Sequence, residues 1–149
     1  MRLIETILKT VAQATDGVKH YGRGAKAYSN LQSEHYPRIW VHLVNPRDVI
    51  HQNNAVTTTY EVIGEVSGLC SYTADIANNE QATLEYLNYL ETLQLIYYRF
   101  ITNLNKHPNN KIAIGQVNRR ELLHEYDDNL TGYVFTFTLT INEPIAYQC

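Results

Sequence analysis

Two scarcities set the first bounds on this chain. Cysteine occurs only twice in 149 residues, at Cys70 and Cys149. Two thiols that far apart exclude a disulfide framework and read as free cysteines in a reducing cytoplasm. Charge is also sparse: 12 Lys+Arg against 15 Asp+Glu, 18% of residues, net −3. That balance argues against a surface dedicated to coating nucleic acid, and it leaves much of the exterior to neutral side chains. No apolar run approaches the roughly 20 residues of a membrane span. Arg2, Glu5 and Lys9 interrupt the N-terminal apolar run, which therefore does not read as a signal peptide. A soluble protein made without export is expected. Internal repeats and low-complexity segments are missing as well.

Catalytic and metal motifs are equally thin. His20, His35, His42, His51, His107 and His124 fall into none of the spacings that bring two ligands to one metal. Neither a GxSxG elbow nor a Cys–His arrangement is visible. "HYGRGAK" (20–26) has the glycines of a phosphate cradle without the order of one. Neither an enzyme nor a cofactor is expected.

What is present is a globular composition, 44% hydrophobic, in a chain long enough for one domain (1–149) with a self-supporting core. Leu3, Ile4, Ile7, Leu8 and Val11 recur at helical spacing over 2–14, and Asp16-Gly17 stops the helix. Residues 18–37 sustain neither period and read as a long loop. Its cluster of Lys19, His20, Arg23 and Lys26 supports two readings, a solvated loop or a loop facing a polyanion such as DNA. "RIWVHLV" (38–44) is a strand ended by Pro46. Residues 56–69 form another, with Gly64 marking a bulge or a close backbone approach. Residues 79–105 are a long helix whose apolar stripe runs through Leu84, Leu87, Leu90 or Glu91, Leu93 or Gln94, Tyr97 or Tyr98, Ile101 and Leu104. The stripe is wide enough for cover on more than one side.

"KIAIGQV" (111–117) reads as a short strand. "NRRELLHEYDDNL" reads as a further strand or one turn of helix, with the strand favoured because a turn-rich Asp127-Asp128-Asn129 follows. "TGYVFTFTLTI" (131–141) alternates strictly, with Tyr133, Phe135, Phe137, Leu139 and Ile141 on a core side and Val134, Thr136, Thr138 and Thr140 on the other. With no βαβ repetition, the element order predicts an α+β fold: a mostly antiparallel sheet of four to five strands, with an N-terminal helix and one long helix on one face.

A neutral threonine face, twelve tyrosines and little charge suit a surface made for protein contact. The candidate contact residues are Thr136, Thr138, Thr140, Tyr86, Tyr89, Arg119, Arg120, Asp127 and Asp128, the last four as a charged rim.

Three stretches carry a family resemblance: "HYPRIWVHLV" (35–44), "ANNEQATLEYLNYLETLQLIYYRFITNL" (77–104), and above all "YDDNLTGYVFTFTLTINEPIAYQC" (126–149). Together they resemble the tail terminator or tail completion (neck) proteins of tailed phages and prophages, particularly those of Bacteroidetes. One departure is Tyr133 after Gly132, where that ending is expected to carry tryptophan. The resemblance implies a virion structural protein, made in the host cytoplasm. It would form a cyclic ring of copies at the neck or tail terminus around the DNA channel, against portal, adaptor or tail-tube proteins. It implies no catalytic residue, no cofactor and no membrane. Lys19, Arg23 and Lys26 would be the residues nearest DNA. The alternatives are another phage structural part (tail tube, baseplate or head completion) or a non-viral protein-binding module.

Overall fold

The structure, a computed structural model, describes residues 2–24, 36–69, 80–107, 112–123 and 130–141. The elements are α1 (Arg2–Ala14), β1 (His20–Arg23), β2 (Arg38–Ile50), β3 (Val56–Leu69), α2 (Glu80–Asn105), β4 (Ile112–Leu123) and β5 (Leu130–Ile141). The strands form one sheet in the order β1-β2-β3-β5-β4. Every pairing is antiparallel except β1 with β2. The α+β architecture expected from the element order is therefore present.

Both helices cover one face of the sheet. Ile4, Ile7, Leu8, Val11 and Ala12 of α1 meet Ile39, Val41, Val62 and Val66 of the sheet, and α2 contributes Leu93, Ile96, Tyr97, Phe100 and Leu104. The aromatic centre is Phe135, with ring centroids 5.8 Å from Tyr97, Phe100 and Phe137. Each such buried side chain contributes about 1.5–3 kcal/mol relative to exposure. Helix α1 ends where the sequence says it should: Gly17 takes a φ of 95°, and Thr15 Oγ1 donates to the Val11 carbonyl at 2.7 Å. Gly64 lies opposite a bulge between Val41 and Leu43. A Cβ there would press on the Phe135 ring and the Trp40 carbonyl.

Four expectations are corrected. The 18–37 loop contains a strand, β1, whose residues His20–Arg23 pair in register with Arg38–Val41; residues 25–35 lie outside the described residues. Gly22 answers to packing, and Gly24 to a φ of 116° in open space. The Trp40 ring occupies the space where a Gly22 side chain would begin, and Trp40 Nε1 donates to the Gly24 carbonyl at 2.8 Å. Second, β2 does not stop at Pro46 but runs on to Ile50. Beyond Gly24, whose N–H donates to the Val41 carbonyl at 3.0 Å, no described strand pairs with its outer edge, and an edge strand tolerates the missing N–H. Third, 111–117 and the segment after it are one strand, β4, interrupted by a register shift between Ile114 and Val117. Fourth, the α2 stripe from Leu90 to Leu104 turns inward as expected, but its first two members do not. Tyr86, Leu90, Leu93, Tyr97, Phe100 and Leu104 are buried, while Leu84 and Leu87 are exposed. The helix carries two apolar stripes at helical spacing, and the sheet takes only one.

Candidate interaction surface

The second face of the sheet divides into two halves. Opposite residues of an antiparallel pair project to the same side, so the register assigns this face. Arg38, Trp40 and Glu65 lie at one end of it. Arg47, Val49, Thr57, Thr59, Glu61, Thr138 and Thr140 lie at the other, nearer the β2–β3 turn.

The first half is closed and polar. Arg38 is 1% exposed and Glu65 0%. Arg38 Nη2 donates to Glu65 Oε1 at 3.3 Å, and Ser67 Oγ donates to the same oxygen at 3.2 Å. His42 Nε2 stands 3.5 Å from Glu65 Oε2. The guanidinium carbon sits 4.8 Å from the Tyr36 ring centroid and 4.7 Å from that of Trp40, so aromatic faces replace water around the cation. Two opposite charges out of water stand only as a pair; removing one leaves the other at a cost of about 3–5 kcal/mol. This cluster ties β2 to β3. It was missed in the sequence because no motif joins Arg38 to Glu65; only the strand register does.

The second half is open. Thr138 is exposed, and Thr136 and Thr140 are half-buried. Thr140 Oγ1 meets Thr59 Oγ1 at 3.2 Å across the strand pair. A depression of about 210 Å³ lies here, lined by Asn45, Pro46, Arg47, Thr59, Glu61 and Thr138. Leu43 and Val49 flank it on β2, 43% and 48% exposed. Its threonine hydroxyls can turn to a new partner, while Arg47 and Glu61 are the two charges that a partner would have to meet.

The third surface is the outward side of α2. Leu84, Leu87, Leu95 and Tyr98 are between 47% and 51% exposed. With Glu91 they follow steps of three and four residues, which puts them on one stripe.

The remaining candidate residues fall as follows. Tyr86 is buried inside the chain: its hydroxyl donates to Glu121 Oε1 at 2.9 Å and accepts from Thr131 Oγ1 at 3.0 Å. It pins α2 to β4 and β5 and is not an interface residue. Tyr89 packs against the core, its ring over Gly68. Arg119 and Arg120, being adjacent in a strand, part to opposite faces. The Arg119 guanidinium lies over the rings of Tyr97, Tyr98 and Tyr133, 4.6 Å from the nearest centroid. Arg120 lies on the threonine side, opposite Val134. Burial raises the hydroxyl pKa of both Tyr97 and Tyr133, opposed by Arg119.

Arg23 is engaged within the chain: Nε donates to both Glu5 carboxylate oxygens at 3.0 and 3.1 Å, and Nη1 donates to the His42 carbonyl at 3.2 Å. It ties α1 to β1 and β2, and it stands at the end of a strand where a loop was expected. Lys19 is exposed. Lys26, Asp127 and Asp128 lie outside the described residues. Beside Arg23, burial first and the Glu5 carboxylate second push the Tyr21 hydroxyl up to about 12. Among the described residues no group of His, Cys, Asp or Glu is placed to hold a metal ion.

No protein-family model matches this chain, and no curated protein matches it.

Proposed function

We propose that the protein is a structural subunit of a tailed-phage virion, assembling as a cyclic ring of copies at the head–tail neck or tail terminus around the DNA channel. The observation that carries this reading is the pair of unlike, exposed surfaces: a threonine-rich half-face on the sheet, with Arg47 and Glu61 among its hydroxyls, and an apolar stripe on the outside of α2. One belongs to the sheet layer and the other to the helix layer, so they look away from each other. A closed ring with head-to-tail contacts needs two different complementary surfaces on each subunit. The resemblance of 35–44, 77–104 and 126–149 to tail terminator proteins supplies the virion context. Lys19 is the remaining described cation offered towards DNA, a contact blind to sequence and weakened by salt.

The test is electron microscopy of the concentrated protein, alone and mixed with tail tubes. Closed rings of one diameter, or caps on tube ends, are expected. Isolated subunits in both samples would overturn the reading.

A further inference from the structure

We propose that the two uncovered surfaces are each other's partners: the outward stripe of α2 on one copy packs on the open sheet half-face of the next, with Glu91 of the first opposite Arg47 of the second. This contact rests on the ring reading above.

The stripe offers four half-exposed side chains, together on the order of 400 Å², the size at which an apolar patch on a soluble chain is commonly functional. That is about half of the roughly 800 Å² that each partner gives to a standard interface, so it makes an apolar centre with room for a polar rim. From Leu84 to Tyr98 the stripe spans about 21 Å at 1.5 Å per residue. The β2 segment from Leu43 to Val49 spans about 20 Å at 3.3 Å per residue. The two lengths match.

Charge completes the fit. Glu91 lies between Leu87 and Leu95 on the helix stripe, and Arg47 between Leu43 and Val49 on the sheet, where Glu61 shares the same face. Among the described residues neither Glu91 nor Arg47 makes a hydrogen bond or ion pair within the chain. Two α2 stripes packed on each other about a two-fold axis would bring Glu91 against Glu91. The sheet surface of a second copy offers Arg47 there, beside its own Glu61. The docked helix would also repeat the layering that the chain uses internally, where α2 already covers the other side of the same sheet.

The experiment is sedimentation of the full chain up to millimolar concentration, with Arg47→Glu, Glu91→Arg, the combined variant, and Leu95→Glu. Thermal unfolding confirms that each folds. An exposed ion pair is itself weak, but like charges forced together at a contact oppose it strongly. Each single reversal should therefore weaken self-association at least about tenfold, and the combined swap should restore it to within about threefold. Leu95→Glu should abolish it. If wild type assembles and neither reversal matters, this contact is wrong while the ring stands. If Leu95→Glu disrupts assembly and Arg47→Glu does not, another surface or another protein faces α2, and the pairing is overturned. If the singles disrupt and the double fails to rescue, the pairing is equally overturned. A wild type that stays monomeric throughout removes both the contact and the self-assembled ring.

Discussion

The two sides of β5 are built from one run of residues and do opposite things. Phe135, Phe137 and Leu139 are within 2% of full burial, locked between strands and helices. Thr138, one residue away, is exposed, and Thr136 and Thr140 are half-covered. A strand on a face meant for water usually carries charge there. This one carries hydroxyls and methyl groups, which take part in a sheet without demanding solvent. The inner side fixes the fold. The outer side is stable without a partner and loses little by gaining one.

The largest break in that comparison is on the inner side. Phe135→Ala should cost about 3–5 kcal/mol by urea unfolding, through lost burial and the cavity left among Tyr97, Phe100 and Phe137. A cost below about 1 kcal/mol would mean the centre is loosely packed. Nearly as large is Arg38→Ala, expected at about 3–5 kcal/mol because Glu65 is left charged and out of water. It shows that the outer face is not uniformly dispensable. Replacing Arg38 and Glu65 together by apolar residues should recover much of the loss. Gly132→Ala comes next, at about 1–3 kcal/mol: Gly132 holds a φ of 148°, and a Cβ would overlap the Val66 carbonyl.

Smaller is the alkaline limit. The Tyr21 hydroxyl is raised to about 12 in the folded chain from 10.0. Between those values the unfolded chain loses its proton while the folded chain keeps it, so stability present below pH 10 falls as pH rises towards 12. Tyr21→Phe should flatten that part of a stability–pH profile; an unchanged slope would place the titration elsewhere. The smallest effect on stability sharpens the contrast with Phe135: Thr138→Lys should move it by less than about 0.5 kcal/mol while disrupting assembly.

How much of this was legible follows from which signals are local. The alternation of 131–141 depends on nothing but its own side chains, and it sorted Phe135 from Thr136 correctly. Gly17 was legible for the same reason, and Gly64 flagged a close approach without naming Phe135 and Trp40 as its neighbours. What stayed hidden depends on distant partners. A four-residue parallel strand at His20–Arg23 has no period to show, and the need for Gly22 is visible only with Trp40 in place. The Arg23–Glu5 pair joins a strand to a helix that precedes it. Helix α2 displays two stripes of comparable spacing, and only the sheet beneath decides that Tyr86 and Leu90 turn in while Leu84 and Leu87 turn out. Tyr86 alone cannot reveal its role, because tyrosine suits an interface and a buried hydrogen-bonded pin equally well.

The most direct test of the claim that these outer surfaces exist to be covered by protein is the light-scattering mass of wild type as concentration rises, beside Thr138→Lys. The account predicts that wild type converges on a single multiple of 17.2 kDa while the variant, equally stable, stays at the subunit mass. Two equal curves, both at one subunit or both at the same multiple, would contradict it.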